Sequence, residues 1–333
     1  MIEKHKTAKT DFFDHLQEIT ERHLTRTRRI RRIKKEKQKA KNPILDWFES
    51  FIWAAGVVLL INQYLFQAYQ IPSGSMIDTL LIGDRIFVNK IIFGPELLPG
   101  VAKLPSPIKP ERNDVIIFEN PSYISRGPAF DIAQRIIYML TLSLVDIDRE
   151  ESGEPKAHFL IKRAVGWGGD RFVLEKGEFR IRFAGETRWV TEGEFNMGRR
   201  FNHRISRLMD PGGYPALEAA GKAAAYLELG LNPPAGLVNA AASVNAMRYP
   251  DQLAHDRARL EVLRAAYPQN IRYGIFLSRY VQGWYVPEGR MLPLGDNRDN
   301  SRDGRYFGPI REAKVLGKGS IIYWPLGRIG LIR

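Results

Sequence analysis

From Ser50 to Ile77 the chain carries no charged side chain, and this run limits the possible folds more than any other feature. Its apolar part, FIWAAGVVLLINQYLFQAY from Phe51 to Tyr69, is nineteen residues long. At the α-helical rise that spans roughly 30 Å, about one bilayer hydrocarbon core. Trp47 and Trp53 at one end, and Tyr64 and Tyr69 at the other, suit the aromatic belts of a membrane helix. A buried helix of a soluble protein is the plainer alternative, but such a helix seldom runs this far without a charge. The pattern predicts a transmembrane anchor over 44–69, a basic segment over 1–43 and a folded domain over 70–333.

The charge is uneven. Of a formal net charge of +13, residues 1–41 supply fourteen Lys/Arg against six Asp/Glu. Arg28, Arg31, Lys34 and Lys41 precede the span, so the positive-inside rule keeps the N-terminus in the cytoplasm and sends the domain outward. The basic region is too long, and the apolar one too extended, for a cleavable signal peptide. The expectation is a single-pass protein of the cytoplasmic (inner) membrane, with membrane lipid as a partner. The run RTRRIRRIKKEK lacks aromatic interleaving, so no nucleic acid is expected. There is no cysteine, which excludes disulfides, cysteine nucleophiles and thiolate metal sites.

Beyond the anchor the texture is that of β-strands. DRIFVNKIIF, NDVIIFEN, HFLIKRAVG, RFVLEKGEFRIRF and GSIIYWPLGRIGLI are β-branched or aromatic runs bounded by Gly and Pro. Two stretches differ. AFDIAQRIIYMLTLSLVDID, 129–148, is too short and too interrupted to span again, and is read as a surface element close to the membrane. The Ala-rich residues Tyr214 to Tyr267 have helical composition and mark a helical insertion at about 185–280.

The chemistry centres on PSGSM, where Ser73 and Ser75 flank Gly74 directly after the anchor. A serine nucleophile needs a base and an oxyanion hole. His5, His15 and His23 precede the anchor, while His158, His203 and His255 sit in no triad context, and there is no G-x-S-x-G elbow. Lysine is the remaining base. Lys162, in FLIKRAVGWGGD, lies in a strand-like run where an apolar face would strip its hydration and lower its pKa. PLGDNRDNSRDGRYFG, Pro293 to Gly308, is dense in turn formers and charge, but its spacing is not that of a calcium loop, so no metal or other cofactor is expected.

Together, in order, PSGSM, TLLIGD, NDVIIF, IKRAVGWGGD and VPEGRMLPLGDNRDNSRDGRYFG resemble the sequence boxes of bacterial type I signal peptidases. The resemblance implies Ser75 as nucleophile, Lys162 as general base, and Ser73 with the Ser75 N–H as oxyanion hole. It further implies Ser301 orienting the Lys162 amine and Asp303 with Arg305 as a supporting ion pair. Ile71, Met76, Leu80 and Leu160 fall where the family lines its pockets for small side chains. The implied fold is a mainly β domain of two coiled sheets behind one membrane helix, the helical insertion being an appendage. The implied partners are preproteins with signal peptides, and the oligomeric state stays open. Asp78, Asn113, Gly168 and Gly304 stand where the family usually has proline, glycine, proline and often serine; Asp78 threatens to raise the pKa of Lys162. Alternatives are a peptidase dedicated to one substrate, a self-cleaving repressor, and a non-catalytic membrane-anchored binding protein.

Overall fold

The computed structural model describes residues 15, 17, 19–33, 43–98, 102–105, 108–149, 153, 156–199, 205–207, 209–247 and 250–332. Much of the basic segment, including Lys34 and Lys41, therefore lies outside the described residues. Residues 19–33 are helical. The chain divides into two compact units, the first ending at Val57 and the second beginning at Val58.

Among the described residues one helix, α1 (Pro43–Tyr64), is long and apolar enough to cross a membrane. Its 22 residues span about 33 Å. It ends earlier than the sequence pattern predicts. Phe66–Gln70 forms strand β1 instead, with its middle three residues buried. Tyr69 is thus no interfacial anchor; its ring packs on Phe159 and its hydroxyl donates to Gln67 Oε1 at 2.9 Å.

After β1 the chain forms β2 (Arg85–Asn89), β3 (Val115–Glu119), helix α2 (Pro128–Leu140) and β4 (Phe159–Trp167). A hairpin follows, β5 (Arg171–Glu175) and β6 (Glu178–Arg182), its two turn residues Lys176 and Gly177 both at positive φ. That is the turn whose twist matches the strands. Then come helices α3 (Tyr214–Glu228), α4 (Gln252–Ala266) and α5 (Ile271–Gln282), and strands β7 (Arg290–Leu294) and β8 (Val315–Trp324).

The large sheet runs β1-β2-β8-β3-β4-β7, with Ile310–Arg311 beyond β7 and Gly330–Leu331 beside β8. Its pairings are antiparallel. Register shifts in β8 and at Leu292/Pro293 of β7 curl it into a half-barrel. The second sheet holds β5, β6 and two short strands. Apolar clusters fill both faces, one built on Tyr69, Ile71, Met76, Leu80 and Ile117, another on Phe93, Ile116, Phe118 and Val315. The strand texture of the sequence is thus realised, but helices hold more of the described residues than strands do. The molecule is a β-sheet domain with substantial helix rather than mainly β.

The helical insertion is also more than an appendage. Asp251 caps α4, accepting from Leu253 N, and receives the Tyr214 hydroxyl of α3 at 3.1 Å. Leu253 joins the cluster beneath the second sheet, with Phe172 and Trp284. The entry to the insertion is woven into the loop after β7: Ser206 N donates to Asp296 O at 2.9 Å, and Arg298 N to Ser206 O at 3.0 Å.

Candidate active site

Ser75 sits in a single 3-10 turn, Gly74–Met76, approached by extended Ser73. Gly74 is not among the glycines at positive φ, so left-handed backbone does not make the corner. What defines the corner is the loop after β7. Asn297 N donates to Ser75 O at 3.0 Å, and Asn297 Nδ2 donates to Gly74 O at 3.0 Å. The Gly74 carbonyl and the Ser75 N–H belong to one planar peptide, so fixing the carbonyl aims the N–H the opposite way. The loop comes this close because Gly295 has no side chain: a Cβ there would lie 2.6 Å from Ser75 O and 2.2 Å from Ser301 Oγ.

Lys162 reaches the same corner from the middle of β4. Its Nζ is 2.7 Å from Ser75 Oγ and donates to Ile161 O at 2.9 Å. Both Ser75 and Lys162 are buried. Desolvation lowers the Lys162 pKa to about 8; the more distant carboxylates of Asp303 and Asp296 pull it up, and Arg305 pushes it down. No carboxylate among the described residues forms an ion pair with it. Ser73 Oγ lies 3.4 Å from Ser75 Oγ, on the exposed side.

Two ion pairs support the corner. Asp303 and Arg305 make the pair that the sequence resemblance implies, Arg305 Nε donating to Asp303 Oδ1 at 2.8 Å and Nη2 to Oδ2 at 3.0 Å. Asp303 Oδ2 also accepts from Gly295 N at 2.9 Å, which holds the loop closed. The second pair was not expected. Arg163, the neighbour of Lys162, donates to both oxygens of Asp296, at 2.8 and 2.6 Å, and to Asn113 O at 2.6 Å. Thr79 Oγ1 donates to Asp296 at 2.5 Å. Each carboxyl is held below its ordinary range by the guanidinium beside it, against the upward push of burial. Arg298 of the same loop pairs with buried Glu192.

Two expected contacts are not made in this structure. Ser301 makes no hydrogen bond to Lys162: its hydroxyl is buried without a hydrogen-bond partner, packed against Gly295, and the amine donates to the Ile161 carbonyl. Leu160 does not share a face with Ile71, Met76 and Leu80. It packs towards Phe93 and Ile116, while Ile161 packs with those three residues. Side chains alternate across a strand, so a one-residue choice selects the opposite face.

The departures from the family pattern also have physical accounts. Asp78 accepts from Ser206 Oγ at 3.3 Å and is not among the groups that act on Lys162. Asn113 adopts φ 69°, a left-handed conformation that asparagine tolerates better than most residues. At Gly304 a Cβ would meet Pro293 O at 2.8 Å. Of the histidines, His158 lies beside Asp148 at 2.9 Å and His255 beside Asp256 at 3.5 Å. His203 lies outside the described residues.

A serine hydroxyl against a buried lysine, behind an apolar helix, is matched by the family model described as signal peptidase, peptidase S26, over residues 44–188 and 239–324. The chain belongs to this signal peptidase family. It is a bacterial type I signal peptidase, a hydrolase. A signal peptidase I of Haemophilus influenzae is 28% identical, over 88% of this chain and 76% of its own length. That of Aquifex aeolicus is 27% identical over 80% and 79%, and that of Pseudomonas aeruginosa 26% over 86% and 75%. Residues 189–238 of this signal peptidase fall outside the family match, and they include α3.

Proposed function

We propose that this signal peptidase removes signal peptides with a Ser75/Lys162 dyad held at the membrane surface. The observation that carries the reading is the buried Lys162 amine 2.7 Å from Ser75 Oγ, with no carboxylate among the described residues paired to it. A neutral amine at that distance accepts the hydroxyl proton as Oγ attacks the scissile carbonyl. The tetrahedral oxyanion is met by the Ser75 N–H, aimed by Asn297, and by the Ser73 hydroxyl. The Lys162 ammonium then protonates the departing amine, and the same amine activates the water that releases the acyl-enzyme.

The substrate is an extended segment with small residues before the cleaved bond, added at a strand edge beside the site. Ile71, Met76 and Leu80 pack as one apolar cluster with Ile161, in place of Leu160, and this cluster is the backing against which small side chains would be received. Asp303 and Arg305 support the loop, and α1 is the membrane anchor. The basic residues before it keep the N-terminus in the cytoplasm and direct the catalytic unit outward. The test is cleavage of a precursor bearing an Ala-x-Ala signal peptide by the protein in detergent and lipid, beside Ser75→Ala. Cleavage at the expected bond by the parent alone supports the reading; equal cleavage by Ser75→Ala removes it.

A further inference from the structure

Helix α2 and the turn after it are built inside out for a protein in water. Every exposed residue from Ala129 to Ile147 is apolar: Ala129, Ile132, Ala133, Ile136, Leu140, Leu142, Leu144, Val145 and Ile147. Ile132, Ile136 and Leu140 recur at the four-residue spacing that makes one stripe on a helix. Leu144 is 60% exposed and Ile132 56%. The charged groups of the segment turn inward. Asp131 accepts from Tyr123 and Ser125, Arg135 faces Glu96 and Glu119, Gln134 donates to Asp146, and Asp148 meets Tyr123 and His158. Soluble surfaces mix charge among their exposed apolar residues, so an exposed face of this length without a charged residue marks a surface that meets something other than water.

Its place in the fold says what that is. Tyr138 packs on Tyr69, and its hydroxyl accepts from Gln70 N at 3.5 Å, on the strand that leaves α1. Arg135 faces the Glu96 carboxylate, and the Glu96 carbonyl accepts from Gln63 Nε2 at 2.9 Å, in the last turn of α1. The segment is therefore fastened to the exit of the apolar helix through one intervening residue. We propose that the outward face of Ala129–Ile147 lies in the lipid–water interface of the bilayer that α1 spans, as a second, in-plane membrane contact. The proposal rests on α1 being a membrane anchor. An interfacial helix sinks its apolar face about 5–10 Å to the boundary of head groups and acyl chains. At this position it would limit rotation of the catalytic unit about the anchor and hold Ser75 at one height above the membrane.

The absence of cysteine makes the test clean. Four single-cysteine variants of the full chain, Leu60→Cys, Ile136→Cys, Leu144→Cys and Leu227→Cys, would each carry an environment-sensitive fluorophore. They would be reconstituted in phosphatidylcholine vesicles at less than one copy per vesicle. All four positions are exposed, so folding is expected to survive, and cleavage of a short soluble peptide checks it. The expected result is blue-shifted emission at Ile136 and Leu144, lost to a nitroxide borne near the lipid head groups and retained against aqueous iodide. Leu227, in α3, serves as the water-exposed reference, and Leu60 should lose emission to a nitroxide deep in the acyl chains. Failure at Leu60 overturns the anchor itself. Quenching at Leu60 with Ile136 and Leu144 behaving as Leu227 does overturns the in-plane contact alone. Protection from iodide that appears only at high protein-to-lipid ratio assigns the face to a second copy, and also overturns it.

Discussion

Lys162 and Arg163 are consecutive, cationic and buried, yet they sit in two regions that treat a positive charge in opposite ways. Arg163 enters a region where Asp296 takes it in a two-pronged ion pair and Thr79 Oγ1 and the Asn113 carbonyl also accept from it. Lys162 enters one where its contacts are a hydroxyl and a backbone carbonyl. Burial is common to both, and the position of the carboxylate separates them. A guanidinium stays charged in any case, so its burial requires a partner in contact. A lysine deprived of such a partner drifts towards neutrality, which a general base requires. On the proposed mechanism the paired region is structural and the unpaired one reactive, and the peptide between them lets one strand serve both.

The comparison can be broken in several ways. Removing the reactive pair has the largest expected effect: Ser75→Ala or Lys162→Ala should lower the single-turnover cleavage rate by about 10⁴-fold or more, with the fold intact by circular dichroism. In the structural region, Arg163→Met strands the Asp296 carboxylate and should destabilise the fold by about 3–5 kcal/mol in urea titration. Adding Asp296→Leu should recover most of that loss, since removing both members of a buried pair is far milder than removing one.

Lys162 should behave in the reverse sense. Its folded pKa of about 8 lies below its ordinary value of 10.5, so the folded chain sheds this proton first. Stability from this group then rises as pH climbs from about 8 to 10.5 and is level below 8. Lys162→Met should therefore stabilise the inactive protein by roughly 3 kcal/mol at pH 7, a gain that fades above pH 8. Parent activity should rise through a midpoint near 8, and an unchanged rate from pH 6 to 9 would show that the amine is not the base. Asn297→Ala frees the Gly74–Ser75 peptide and should cut kcat by about 10- to 100-fold with little change in KM. The smallest effect is expected of Asp78→Asn, which keeps the contact with Ser206 and should alter cleavage by less than about twofold.

Much of this was legible in the chain. The uncharged run marks α1, but Phe66–Gln70 reads as a continuation of it because a short run free of charge fits a buried strand as well as the end of a membrane helix. The order of the sequence boxes points to Ser75 and Lys162, but strand alternation sets Leu160 on the face of Lys162, and that Ile161 joins Ile71, Met76 and Leu80 depends on how the corner packs against the strand. Asp296 and Asn297 stand inside GDNRDNS, yet which acid meets which base depends on how the loop folds over β4, and spacing alone does not carry that. The weave of Ser206 with Asp296 and Arg298 left no trace in composition, because it is made by backbone groups that every residue possesses.

The clasp of Asn297 on the Gly74 carbonyl joins groups 223 residues apart in the chain. Translation proceeds from the N-terminus, so the hydroxyl of Ser75 exists long before the loop that frames it. A nascent chain that has already delivered its serine and its lysine still lacks the clasp, the Gly295 approach and the Asp303 closure. On the proposed mechanism, the serine and the lysine therefore stay unframed until the loop after β7 has been made and has folded over them.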